Sequence, residues 1–427
     1  MKRVVVFCCC LLWLFPAYAG LTLEECRRLA REHYPEIRQY DLIRQTAEFT
    51  VSNAWRAYLP QFTLSAQATW QSDVADFPGA LKQMLVQQGV DLPGLKKGQY
   101  KAAVDLNQTF WDGGKSRADR RIAEADEAEA RQTVDVDLYA VDARIDELFF
   151  GILLLNEQIA QIELTLELLR SNLDKVQALQ RNGMAMQSDA DAVEVELLSM
   201  RQQLGQVEAA HRSYRRMLSV FTGKELEGEE LVRPEAVVIS PSAEPARPEL
   251  ALFDARVGKL AAQEQLVKAS VRPQFGAFAQ GYYGYPGLNF IADMMDGAGS
   301  WNAQVGVRMQ WYFGGYYTKR NSLQKIRTAQ QQVDVQRDVF LFNTRLQSTQ
   351  EEGEIARLRK ALADDDRIVE LRRSVRQAAE SRLNNGVIDT DDLLRKITEE
   401  NVAATARSAR EIELLKAIYE LKHTINQ

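Results

Sequence analysis

No proline interrupts the chain between Lys115 and Arg181, and within that span apolar residues keep an unbroken 3-4 spacing: Leu138, Val141, Ile145, Leu148, Ile152, Leu155, Ile159, Ile162, Leu166, Leu169, Leu173 and Val176. Such spacing is a coiled-coil seam. At a rise of about 1.5 Å per residue, a helix over the whole span reaches roughly 100 Å, longer than an ordinary globular domain can use. The seam therefore needs partners along its length. The pattern stops at Asn182-Gly183 and resumes at Val193, Leu197, Met200, Leu204 and Val207, which predicts a helical hairpin with an antiparallel return helix.

The same plan occurs twice. "HYPEIRQYDLIRQTAEFTVSNAWRAYLPQF" at 33–62 aligns without a gap to "ARPELALFDARVGKLAAQEQLVKASVRPQF" at 246–275, with Pro35/Pro248, Glu36/Glu249, Asp41/Asp254, Pro60/Pro273, Gln61/Gln274 and Phe62/Phe275 identical. "VDLNQTFWDGG" is then answered by "VGVRMQWYFGG", and "RNGMAMQSDAD" by "NNGVIDTDDLL". Internal order of this kind indicates duplication of one unit. The expected organisation is a first repeat over 20–223 (helix, strand pair 61–111, helical hairpin 115–221), a connector over 224–248, and a second repeat over 249–427 (helix, strand pair 274–313, helical hairpin 315–424). The opening helices are expected from about Leu23 to Tyr58 and from Glu249 to Val271.

The strands follow Pro60 and Pro273, which end helices and release the chain into extended structure. In "QFTLSAQATW", Phe62, Leu64, Ala66, Ala68 and Trp70 share one face and Gln61, Thr63, Ser65, Gln67 and Thr69 the other. The return strand opposes Tyr100, Ala102, Val104, Leu106 and Phe110 to Lys101, Asp105, Asn107 and Thr109, and Val305, Val307, Met309 and Trp311 oppose Gln304, Arg308 and Gln310 in the second repeat. Period-two strands of about ten residues with aromatic ends fit a transmembrane β-barrel. A soluble sheet with one buried face carries the same alternation, and pattern alone leaves both open. "QFGAFAQGYY" departs from it, with Phe278 and Tyr282 on the hydrophilic face. If the strands are in lipid, four cannot close a barrel and an open edge there is costly, so several chains must share one. The loops near 71–98 and 284–300 read as long and flexible.

Residues 1–19 read as a signal peptide. Lys2 and Arg3 precede an apolar run from Val4 to Phe15, and Ala17-Tyr18-Ala19 offers a cleavage site; the run is shorter than the about 20 residues a spanning helix needs. Of four cysteines, Cys8, Cys9 and Cys10 lie in that leader, so Cys26 has no intrachain disulfide partner and is expected to pack as a small hydrophobe. Net charge is −6, more negative without Lys2 and Arg3, which argues against nucleic acid. The three histidines, His33, His211 and His423, are far apart, so a histidine metal site is not expected, and His211 falls on a heptad position as a core or interface residue. The Asp364-Asp365-Asp366 run reads as a solvated helix face, and no nucleophile is paired with a base.

Taken in order, "LTLEECRRLAREHYPEIRQ", "AYLPQF", "FWDGGKSRADRRIAEAD" and the two Asn-Gly turns followed by "SDAD" and "TDDLL" resemble the TolC family of outer-membrane efflux channels. The similarity covers the mature chain in both repeats; its specificity lies in the duplicated order. The resemblance implies a mainly α fold with a small β part: long antiparallel α-helical hairpins forming a hollow α-barrel in the periplasm, and four transmembrane strands per chain in a shared twelve-stranded trimeric barrel in outer-membrane lipid. It further implies a passive efflux or secretion conduit without cofactor or catalysis, served by a periplasmic adaptor and an inner-membrane pump that decides the cargo. A periplasmic coiled-coil adaptor or structural protein is the alternative, but an adaptor usually has a single hairpin.

Under the resemblance the hairpin turns are the periplasmic tips, and Asn182, Gly183, Asn385 and Gly386 are the adaptor-contact positions. Gly183 and Gly386 suit a left-handed helix end; Ser188 and Asp189, or Thr390 and Asp391, suit the next helix start. The resemblance makes Asp392 one carboxylate of a lumenal ring and assigns Asp189, with Ser188, to a latch. Arg395 stands where the family often has a second acid and is placed to pair with Asp392. Gly113, Gly114, Gly314 and Gly315 fit sharp strand-to-helix transitions, although Asp112 of "FWDGG" is replaced by Phe313 in the second repeat.

Overall fold

The computed structural model describes residues 20–89, 94–236, 245–385, 387–388 and 390–426; the proposed leader 1–19, part of the connector and Gly386 lie outside them. The described chain is mainly helical with one four-stranded antiparallel sheet, in the order β1 (Gln61–Trp70), β2 (Gly98–Trp111), β3 (Gln274–Tyr285), β4 (Ser300–Gln310). Helices α1 (Leu23–His33) and α2 (Gln39–Arg56) precede β1, and α6 (Pro248–Ala269) precedes β3. The expected first helix is thus broken by a 3-10 turn at Pro35–Arg38, because proline cannot donate to the preceding turn. The long helices are α4 (Lys115–Arg181, 67 residues) with α5 (Gln187–Thr222), and α8 (Gly315–Asn384, 70 residues) with α9 (Thr390–Ile425).

Two compact units are distinguished, and each draws segments from both halves of the chain: Tyr40–Arg131 with Leu252–Val335, and Met1–Gln39 with Gln132–Ala251 and Gln336–Gln427. The first holds the sheet. Its register pairs Leu64 with Val104, Val104 with Gly281 and Ala279 with Val305, so the apolar residues of all four strands share one face. That face is bare: Leu64, Trp301, Val305 and Val307 are 80–83% exposed. On the opposite face, Lys101 Nζ donates to Gln280 at 2.9 Å, Gln280 donates to Asp105 at 2.5 Å, and Gln304 donates to Gln280 at 3.1 Å. The two aromatic departures are accommodated there by cations: Lys101 Nζ lies 4.1 Å from the Tyr282 ring centre and the Arg308 guanidinium 4.8 Å from that of Phe278. The loops beyond the strands are not featureless. They contain α3 (Gly79–Gln87) and α7 (Phe290–Asp296) and a small core of Leu95, Tyr285 and Met294 with Val74 and Phe77, enough apolar burial to order segments expected to be flexible.

The second unit has a helical core. Leu23, Cys26 and Ala30 of α1 pack against Val141, Ile145, Phe149 and Ile152 of α4, Leu218 of α5, and Ile412 and Tyr419 of α9. Cys26 is fully buried, as expected of a small hydrophobe, and burial pushes its thiol up to about 12. The α4–α5 hairpin is held by its seam, with Ile162, Leu166 and Leu197 buried together. The α8–α9 hairpin adds charges: Asp366 to Arg407 at 2.8 Å, Asp365 to Arg410 at 3.2 Å, and Glu400 to Arg376 at 2.5 Å. The aspartate run read as a solvated face is therefore partly an interhelical strap.

Outside the two hairpins, buried polar groups fix the remaining chain. Arg27 and Arg31 of α1 are paired with Asp146 and Asp142 of α4. Burial raises the Asp146 carboxyl despite its bond to Arg27, while the Arg27 guanidinium, which burial alone would lower, is raised by that bond and by the charge of Asp146. The connector is also docked: Leu21 and Leu231 form a parallel bridge, and Arg233 reaches Glu157, Glu411 and Ser408. His211, half-buried, accepts from Arg215 Nε at 3.2 Å. His423 stacks on Tyr139 with ring centres 4.0 Å apart, and burial with nearby Arg247 lowers its pKa from 6.5 to about 4. The fold favours the neutral ring, so the unfolded chain takes the proton first as pH falls. Stability present above pH 6.5 is then lost as pH falls toward about 4. His423→Phe, which keeps the stack, is expected to flatten that part of the pH profile of thermal unfolding followed by helical circular dichroism; an unchanged slope would remove His423 as its source.

Candidate functional site

The two hairpin turns close in the same way. At the first, Gly183 has φ +73 and its N–H donates to Gln180 O at 2.9 Å, while Met184 N–H donates back to Leu179 O at 2.9 Å. These bonds make a Schellman ending, which needs a left-handed residue and so favours glycine. At the second, Val387 N–H donates to Arg382 O at 2.9 Å and Asn385 N–H to Ser381 O at 3.2 Å, at spacings that match Met184 and Asn182 in the first turn. Gly386 occupies the corresponding position in sequence but lies outside the described residues. Both turns present apolar side chains to solvent, with Met184, Met186 and Val387 exposed.

The start of the return helix differs from the expectation. The N-cap of α5 is Met186; Ser188 lies exposed in the first turn, and Asp189 reaches back so that its Oδ2 accepts from Met186 N–H at 2.9 Å. Asp189 is thus engaged within its own hairpin, where a carboxylate also meets the positive end of the helix dipole. Asp392 and Arg395 are both exposed on the first turns of α9. Sequence reading missed the straps of the second hairpin, where Arg372 pairs with Glu399 and Arg376 with Glu400. Opposite charges flanking the turn were the available signal, once the position of the bend fixed their register.

The two strand-to-helix transitions are built differently. Pro60 and Pro273 stand immediately before β1 and β3. After β2, Gly113 and Gly114 have φ +72 and +89. Buried Asp112 accepts from Tyr58 Oη at 2.8 Å, Gly114 N–H at 2.9 Å and Ser116 N–H at 2.6 Å. Burial alone would raise its carboxyl, but hydrogen bonds from Ser116, Tyr58 and Gly114 hold it below the usual range. After β4, Gly314 and Gly315 do not take the left-handed conformation; they admit the Tyr312 ring and Val271 at close range. There Trp311 Nε1 donates to Val271 O at 3.0 Å. Val271 occupies the position of Tyr58 in the repeat, so an indole-to-backbone bond replaces the tyrosine–aspartate bond. In sequence the exchange of Asp112 for Phe313 reads as tolerable variation, because the partners of Asp112 are set only by the fold.

Residues 27–224 match one known family. The match is to the outer membrane efflux protein family. The TolC-family resemblance of "LTLEECRRLAREHYPEIRQ", "AYLPQF", "FWDGGKSRADRRIAEAD" and the Asn-Gly turns is borne out. No curated protein matches the chain by sequence. Solved structures extend the fold beyond the efflux-protein segment. The outer membrane protein VceC of Vibrio cholerae is 15% identical over 94% of each chain with a TM-score of 0.62. The CmeC outer membrane channel of Campylobacter jejuni is 12% identical, covering 96% of this chain and 86% of its own, with a TM-score of 0.65. The open state of the MtrE outer membrane channel of Neisseria gonorrhoeae is 14% identical, covering 94% and 88%, with a TM-score of 0.61. These likenesses show that the whole fold, mainly helical with a small four-stranded sheet, is that of outer-membrane channels.

In the efflux-protein segment, the tip geometry makes a separable prediction. Gly183→Val forces a β-branched residue into left-handed backbone at a cost of about 1–3 kcal/mol, and Asp189→Ala removes a helix-start contact of about 1 kcal/mol. Both are expected to speed amide exchange around 180–192 and leave the sheet protected; equal loss of protection across β1–β4 would show that the turns serve the fold at large.

Proposed function

We propose that the protein is a passive efflux channel of the outer membrane, assembled as a homotrimer whose chains share one twelve-stranded barrel. The observation that carries this reading is the sheet. Its two outer edges, β1 and β4, have no strand beside them among the described residues, and most of its apolar face is exposed. In lipid such edges cost several kcal/mol per unpaired group, and pairing β4 of one chain with β1 of the next satisfies both. A second exposed seam supports neighbouring copies: Val335, Val339, Phe342 and Leu346 of α8 keep heptad spacing and face solvent. No described helix is long and apolar enough to cross a membrane. The helical part would stand in the periplasm, where the tips at Asn182, Gly183, Asn385 and Gly386 would meet an adaptor that couples the channel to an inner-membrane pump.

On this reading Asp189, with Ser188, forms part of the tip latch and Asp392 contributes one carboxylate per chain to the constriction, with Arg395 on the same helix moderating its field. A ring of like charges in a narrow pore favours cations. Opening then requires the hairpins to splay. Pro60, Pro273, Gly113, Gly114, Gly314 and Gly315 act as the joints between helices and barrel strands. The first repeat (20–223) and second repeat (249–427) are the duplicated halves of each subunit, joined by the connector (224–248).

Light scattering of the detergent-extracted mature protein, corrected for detergent, is expected to give a trimer from the outer-membrane fraction. A soluble monomer or dimer would replace the channel by a periplasmic adaptor or structural protein. In planar bilayers, Asp392→Ala is expected to lower cation over anion preference of the closed pore and Arg395→Ala to raise it; unchanged ion preference in both would reject the constriction assignment.

A further inference from the structure

We propose that a cavity beside the start of α4 is a docking site for an anionic phospholipid of the inner leaflet, whose phosphate meets Arg117 and Arg120 while its acyl chains run along the apolar sheet face. This rests on the outer-membrane reading above. The cavity measures about 660 Å³ and lies between α2, the end of β2 and the first turns of α4. One wall is apolar: Val51, Ala54, Trp55 and Phe110. Phe110 belongs to the exposed apolar face of β2, so this wall continues that face without a break, and Trp55 remains 70% exposed. The other wall holds the two guanidiniums and no carboxylate among the described residues.

Charge complementarity identifies the occupant. Arg117 has no ion-pair partner among the described residues, and Arg120 has only an exposed contact with Glu124 at 3.4 Å, a kind of pair worth little. Asp112, close in sequence, is already committed to Tyr58, Gly114 and Ser116. Asp112 already supplies the negative charge that the start of α4 favours, so its charge is spent there and the Arg117 and Arg120 guanidiniums are left for an external anion. Guanidinium groups bind phosphate oxygens in a bidentate fork, and an exposed tryptophan beside a lipid-facing strand suits the headgroup level. An amphiphile with a phosphate head and hydrocarbon tails matches both walls at once. A neighbouring copy is the competing occupant, because α2 leads into the free edge β1, but the helix that follows the other free edge, α8, opens on Lys319 and Arg320 with no acid in its first turn, so it would not supply the anion.

The test is native mass spectrometry of the full-length mature assembly released from nanodiscs containing palmitoyl-oleoyl phosphatidylglycerol or phosphatidylcholine. The wild type is expected to retain phosphatidylglycerol in preference to phosphatidylcholine. The double variant Arg117→Gln/Arg120→Gln is expected to lower that retention about fivefold or more, as loss of charge-assisted bonds requires. Arg212→Gln/Arg216→Gln on α5 is expected to leave it unchanged. Equal retention in the Arg117/Arg120 variant, or equal loss in the α5 control, would overturn the site. A fall in oligomeric mass in the Arg117/Arg120 variant would assign the cavity to a contact between copies and overturn it too. A wild-type trimer in the membrane that retains no preferred lipid sinks this inference alone; a soluble wild-type monomer sinks the channel reading beneath it.

Discussion

The antiparallel ladder from β1 to β4 decides which way every side chain of the sheet points, and the remaining architecture of that unit answers to it. Pairing Leu64 with Val104 and Ala279 with Val305 collects the apolar residues on one face and Lys101, Asp105 and Gln280 on the other. A slip of one residue would exchange the faces. The hydrophilic face binds itself together through Gln280, which joins β2, β3 and β4 by hydrogen bonds. Among the described residues the apolar face has no covering layer.

The two helical hairpins solve the same geometric problem with different chemistry. In α4–α5 the seam supplies apolar contact, down to the absence of a Cβ at Gly151, where one would meet the Tyr214 ring at 2.6 Å. In α8–α9, Ile355, Leu358, Ile418 and Leu421 form an apolar cluster toward one end, and the part nearer the turn is strapped by Arg372, Arg376, Glu399 and Glu400. Ion pairs between exposed side chains contribute little each and weaken with salt. Arg372–Glu399 is the more exposed of these pairs and Arg376–Glu400 is partly buried, so salt weakens the second hairpin's strap in part and leaves the first hairpin's apolar seam unaffected.

Much of this was legible in sequence because it depends on short-range periodicity. Period-two alternation located β1, β2 and β4, the 3-4 seam located α4, and Asn-Gly located the bends. Even the departures at Phe278 and Tyr282 were visible, though their covers, Arg308 and Lys101, were not, since cross-strand neighbours depend on register. The same reason hid the role of Asp112: its partners Tyr58 and Ser116 lie on either side of a strand pair. It also hid the ordered loops, where Leu95 meets Met294 from the other repeat.

The sequence by itself determined the elements, their duplicated order and the chemistry of each face, because helix and strand periods are local properties of the chain. Only the tertiary structure decided that Asp189 closes on Met186, that Arg233 docks the connector, and that the compact units cut across the repeats. Those contacts join residues far apart in the chain or depend on one rotamer, and no local period records them.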